Sequence, residues 1–136
     1  MSAAAGTDEP AVTQILRAAL LPLAARRQTI TYRELAALAG IRPPHSIHKV
    51  TLGLEALLRE DHDAGRPLLA ALATSRATGG LPGRGFFELL RSLACYQGPD
   101  SGVEASAFHR AELERVWHYW GAVAGGSATE APRGGA

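Results

Sequence analysis

ITYRELAALAGIRPPHSIHKV, residues 30–50, decides how the chain reads. Its pattern is that of two helices broken by a proline turn, with His45, His48 and Lys49 at the start of the second. Thr31 and Glu34 have capping-box spacing: the threonine hydroxyl accepts from the amide at Glu34, and the glutamate reaches back to the amide at Thr31. Leu35, Ala36, Leu38 and Ala39 then face a core, and Gly40 supplies the C-terminal stop of a helix only two turns long. After Ile41-Arg42-Pro43-Pro44, a longer helix is predicted from His45 or Ser46 to Ala64. Ile47, Val50, Leu54, Leu57 and Leu58 are spaced for its buried face, and Gly65 ends it.

Working outward, a helix is predicted from Ala11 to Arg26, with Val12, Ile15, Leu16, Ala19, Leu20 and Leu23 as its apolar stripe. Pro22 lacks an amide donor and crowds the preceding turn, so it is expected to end or kink this helix near Leu21. Gln28-Thr29-Ile30 reads as a short strand. Downstream, LLAALATSR fits a buried strand or a helix, with strand favoured by the turn that follows. ATGGLPGRG, residues 77–85, has the chemistry of a flexible loop or hairpin tip. FFELLRSLACY (86–96) is helical in pattern, and Ser106 is expected to cap a last helix, AFHRAELERVWHYW, in which Leu113, Val116, Trp117 and Trp120 close the core.

This order predicts a mainly α protein with a small β hairpin, a winged helix-turn-helix with extra C-terminal helices. The fold is expected in one domain over residues 11–120, with disordered ends at 1–10 and 121–136, which are small, acidic or low in complexity. At 136 residues the chain has room for one ordinary core.

A formal charge of +1 excludes a polybasic chain that grips any polyanion. Lys49 is the one lysine among fourteen basic residues, and with the abundant alanine and glycine this points to a GC-rich bacterial genome rather than to function. The single cysteine, Cys95, permits no intrachain disulfide and no cysteine-based zinc knuckle. The N-terminus lacks the pattern of a signal peptide, and no apolar segment approaches the roughly 20 residues of a membrane span, so a cytoplasmic location is expected.

Charge placement is informative where net charge is not. From Val12 to Lys49, Arg17, Arg26, Arg27, Arg33, Arg42 and Lys49 stand against Glu34, a balance of +5. From Val50 to Asp63, Arg59 stands against Glu55, Glu60, Asp61 and Asp63, a balance of −3. From Arg66 to Arg91, four arginines stand against Glu88, a balance of +3. The third helix is thus basic at its start and acidic at its end. A recognition helix meets the major groove by its N-terminal end, where the helix dipole favours phosphate. Arg33, Arg42, His45, Ser46, His48, Lys49, Arg76 and Arg84 are therefore the candidate DNA-binding residues, with Ser46, His48, Lys49 and Leu52 pointing outward. Arg76 and Arg84 sit on the Gly-rich loop, which would act as a wing.

Other readings are weaker or compete. GGLPGRG lacks the Gly-Lys-Ser/Thr ending of a P-loop and the strand-then-helix context of a dinucleotide site, so no cofactor is expected. His45 and His48 have no third metal ligand at a convincing spacing. Cys95 sits among apolar residues of a predicted helix, the setting of an inert thiol; no catalytic constellation is visible, and the chain is expected not to be an enzyme. The bland alternative makes the histidines surface residues and lets the arginines solvate a helical bundle. A protein-interaction adaptor is the competing functional reading, with Trp117 and Tyr119 as its partner surface, and a homodimer is compatible with either.

The order TYRELAALAG, proline turn, helix, apolar strand and glycine-rich loop is similar to the winged-helix domain of the methylated-DNA–protein cysteine methyltransferases and their alkyltransferase-like relatives, over roughly Thr29 to Phe87. The resemblance implies duplex-DNA binding. The active cysteine of that family lies in a Pro-Cys-His-Arg motif, where this chain has Arg66-Pro67-Leu68-Leu69, so alkyl transfer is not implied. Nor does His45 to Lys49 contain the arginine with which the family displaces a base. The run PLLAALATSRATGGLPGRGFF also resembles a segment of small bacterial proteins with the same lead-in, which adds a fold expectation and no function.

Overall fold

The structure is a computed structural model that describes the backbone of residues 8–134 and the side chains of residues 12–124. Residues 1–7, 135 and 136, within the two ends expected to be disordered, lie outside the described residues. The elements are α1 (Asp8–Ala25), β1 (Ile30–Thr31), α2 (Tyr32–Ala39), α3 (Ser46–Asp63), a 3-10 turn (Leu69–Leu72), β2 (Ala73–Thr74), a second 3-10 turn (Arg76–Thr78), α4 (Arg84–Ser92) and α5 (Gly102–Gly134). The protein is mostly helical.

Helix α1 packs on α5 and α3, and α3 packs on α2. Leu16, Leu20, Val50, Leu57, Leu69, Leu72, Phe87, Leu90 and Val116 are fully buried where these elements meet. Gly53 lets α3 close on α1: a Cβ there would lie 2.6 Å from Leu16 Cδ1. Gly121 does the same between α5 and α1, where a Cβ would stand 3.0 Å from the Ala24 carbonyl oxygen. The packed region therefore runs past Trp120.

Several sequence expectations are corrected. Helix α1 continues through Pro22 to Ala25, because Pro22 and Ala18 are both exposed and water can serve the carbonyl that proline leaves without a donor. Ile15, Leu38 and Ile47, assigned to buried faces, are exposed at 43%, 58% and 40%. Each lies at the edge of its helix's apolar stripe, lining an open surface depression between helices rather than the core. Ser106 caps nothing: α5 begins at Gly102, and Ser106 is an exposed residue within it.

The expected β hairpin gives way to a two-residue parallel pair, with Ile30 opposite Ala73 and Thr31 opposite Thr74. Parallel strands need a long crossover, and α2 and α3 supply it. No antiparallel hairpin forms among the described residues. The Gly-rich loop is instead a closed turn: Ser75 caps the second 3-10 turn through the Ala77 amide (3.2 Å), and the Ser75 amide donates to Leu81 O (2.8 Å). The chain then passes directly into α4 at Arg84.

The apolar run expected as a strand is mostly a buried 3-10 turn, and a buried turn leaves backbone groups without ladder partners. Side chains take their place. Asp61 Oδ2 accepts from the Leu69 amide at 3.1 Å, and Glu112 Oε2 accepts from the Leu68 amide at 2.7 Å. Trp120 Nε1 donates to Pro67 O at 2.7 Å, and His109 Nε2 bonds Ala71 O at 2.9 Å, which requires a proton on that nitrogen. Asp61 is completely buried between two guanidinium groups, Arg17 at 3.0 Å and Arg66 at 3.1 Å, both of which lie over the Trp120 ring. Residues 67–72 thus form a strap held from α3 on one side and α5 on the other.

Candidate nucleic-acid interface

Helix α2 starts as its sequence dictates. Thr31 Oγ1 accepts from the Glu34 amide and Glu34 Oε1 accepts from the Thr31 amide, each at 3.1 Å. These bonds, with a smaller contribution from the charge of Arg76, hold the Glu34 carboxyl below its ordinary value. Arg76 is therefore within electrostatic reach of the first turn of α2. Gly40, at φ 71°, ends the helix, and the amide of Ile41 bonds Ala36 O at 2.9 Å. This closure sends the chain into the Pro43-Pro44 turn and aims it at α3.

His45 sits at the N-cap of α3 with φ 58° and makes no side-chain capping bond. The first turn of α3 contains no acid. His45, Ile47, His48, Lys49 and Leu52 are exposed and Ser46 is half-buried, so the predicted outward face is present, with Ile47 added to it. Lys49 Nζ donates to Arg42 O at 3.1 Å, fastening the turn to the second turn of α3.

An open groove of about 620 Å³ lies between the start of α2, Ile47 of α3 and residues 74–77, and Arg33 and Arg76 line it together. Tyr32 and Ile47 also line an adjoining cavity of about 220 Å³, which Arg84 lines as well. Tyr32 divides the two: its hydroxyl accepts from the Gly83 amide at 2.6 Å, and burial raises its pKa against the lowering effect of that amide. Two of the candidate cations, Arg33 and Arg76, thus share one groove, and a third, Arg84, lines the neighbouring cavity across Tyr32. Arg42, His45, His48 and Lys49 line neither part and are exposed.

Elsewhere the cations are largely committed. Arg17, Arg27, Arg66, Arg91 and Arg115 each lie within 3.1 Å of a carboxylate. Among the described residues Arg33, Arg42, Lys49, Arg76 and Arg84 have no ion pair of that kind. Nor do Arg26, Arg59 and Arg110, so the shared groove, not the lack of pairing alone, distinguishes this face. The acidic end of α3 is also different from its sequence reading: Asp61 is spent on Arg17 and Arg66 inside the fold, and exposed Glu60 pairs with Arg17.

The aromatic pair expected as a partner surface is divided. Trp117 is half-buried, with its ring 5.2 Å from the Arg27 guanidinium and its Nε1 donating to Gln28 O at 3.4 Å. Tyr119 is exposed and meets Trp120 edge to face.

Cys95 lies beyond the end of α4 instead of within a helix, half-buried, with its sulfur 3.4 Å from His62 Nδ1. Sequence reading missed this contact because 33 positions separate the two residues. Burial, and then the Glu112 charge, push the Cys95 thiol up, which keeps it protonated. Among the described residues no cluster of three or more His, Cys, Asp or Glu side chains is placed to hold a metal, and no helix is long and apolar enough to cross a membrane.

Comparison with family models, with curated proteins and with solved structures finds no match to the chain.

Proposed function

We propose that this protein binds duplex DNA through α2, the proline turn and the exposed start of α3, as a non-enzymatic bacterial regulator or accessory factor. In this reading the module is of helix-turn-helix type, and the closed loop from Arg76 to Arg84 takes the part of a wing without forming a hairpin. The meeting of Arg33 and Arg76 in one groove, with Arg84 on the neighbouring cavity and Ile47 of α3 lining both, carries the reading. Arginines contact phosphates and fix register, while side chains at the start of a recognition helix meet base edges. His48 and Lys49 occupy that second position.

Fluorescence anisotropy of a labelled random duplex, titrated at several salt concentrations, tests this. Affinity should fall steeply with salt, by about 0.9 in log–log slope for each phosphate neutralised. Lys49→Glu and Arg76→Glu should each weaken binding at least tenfold and flatten the slope. The absence of binding at low salt, or binding indifferent to both substitutions, removes the proposal. The adaptor reading keeps only Tyr119 as a free anchor, since Trp117 is committed to Arg27 and Gln28.

A further inference from the structure

The cavity beside Tyr32 has a chemistry that phosphate contact does not use. Leu54, Leu58, Ala70 and Phe86 give it an apolar, buried lining, while Glu55 and Arg84 bring opposite charges to the same lining. The two do not pair with each other, and among the described residues neither has any other ion pair or hydrogen-bond partner. The Glu55 side chain is half-buried and, among the described residues, has no partner of its own, which leaves its carboxylate oxygens available to a bound cation. Gly85 makes room for it: a Cβ there would stand 3.3 Å from Glu55 Oε2. At about 220 Å³ the space matches about seven water volumes, the size of a small metabolite rather than a nucleotide.

The geometry points to a binding site for a free apolar amino acid. Its ammonium group meets Glu55, its carboxylate meets Arg84, and its side chain fills the space over Leu58 and Phe86. A buried hydrophobic body oriented by a few polar groups is the usual construction of small-ligand sites. A dipolar ligand satisfies both charges at once; a simple amine or a simple acid leaves one unmet. Because Tyr32 and Ile47 wall both this cavity and the adjoining groove, and Arg84 is also a candidate phosphate contact, occupancy bears on the basic face; the site's own test is made without DNA.

Binding to the full chain, without DNA, is read by ligand-observed NMR and calorimetry with L-phenylalanine and L-leucine. The expected dissociation constant is about 0.1 to 1 mM for a ligand of this size. Phenethylamine, 3-phenylpropionate and glycine, which lack in turn the carboxylate, the ammonium group and the apolar side chain, should each bind at least tenfold more weakly. Glu55→Gln and Arg84→Gln, both outside the buried core, should each weaken phenylalanine binding at least tenfold while leaving the far-UV spectrum unchanged. Failure of both amino acids to bind at about 10 mM overturns the inference. So does binding that survives both substitutions, or equal binding of phenethylamine. Because no nucleic acid is present, either result leaves the DNA titration to be decided on its own.

Discussion

Asp61 Oδ2 accepts a hydrogen bond from the Leu69 amide at 3.1 Å while its Oδ1 faces Arg17 and Arg66 at 3.0 and 3.1 Å, so one fully buried carboxylate serves a backbone group and two cations. Removing it leaves Arg66 with no carboxylate and Arg17 with Glu60 alone. Asp61→Ala should cost about 3–5 kcal/mol, the range for breaking one side of a buried ion pair. Asp61→Asn should cost less, since its amide oxygen still accepts from Leu69. Urea unfolding of the three proteins checks the order; an alanine variant as stable as the parent contradicts the account.

Two hydroxyls that look alike in sequence should behave differently. Thr31 closes a complete capping box, and Thr31→Ala should destabilise by about 1 kcal/mol. Ser106 lies exposed inside α5, so Ser106→Ala should change stability by less than about 0.5 kcal/mol, with helix propensity favouring the alanine. Paired thermal melts distinguish them, and a loss at Ser106 equal to that at Thr31 would restore its role as a cap.

Tyr32→Phe deletes the acceptor of the Gly83 amide and keeps the ring. The orphaned, partly buried donor should cost about 1–3 kcal/mol. Amide exchange at Gly83 and Arg84 should accelerate more than exchange in α5. Uniform acceleration across the chain would instead mean a global loss with no local anchoring role for the hydroxyl.

Burial lowers the pKa of His109 below its ordinary value of about 6.5. The fold holds the imidazole neutral while the unfolded chain takes up a proton. Its contribution to stability is therefore complete above about pH 6.5 and is lost as pH falls from there through the lowered folded value. His109→Gln keeps a donor for Ala71 O and has no such titration. The difference in unfolding free energy between parent and variant should shrink between neutral and mildly acidic pH, and a difference constant over that range would exclude His109 as its source.

Local signals were legible where one short stretch contains both partners. Thr31-x-x-Glu34, Gly40 and Gly65 mark helix ends in the sequence and mark them in the structure. Arg27 and Ala94 end α1 and α4 with the same left-handed geometry, at φ 54° and 61°, and carry no such mark, because an ordinary residue was pressed into a conformation that glycine adopts freely. The apolar run at 68–73 was ambiguous for a different reason. Its conformation depends on Asp61, His109, Glu112 and Trp120, and a short apolar stretch has no periodicity that reports such distant partners. The basic face was half visible: the charge blocks pointed to it, but only folding reveals that Arg33 and Arg76 share a groove while Arg17 does not.

The strap has a consequence for how freely this protein can be divided. Ala73 and Thr74 follow directly from it and set the edge along which Arg76 stands, so the far C-terminal helix shapes the basic groove without touching it. Residues 30–63 are accordingly no self-sufficient unit. Grafted alone onto another scaffold, they would carry much of the charge and lose the brace that orients it.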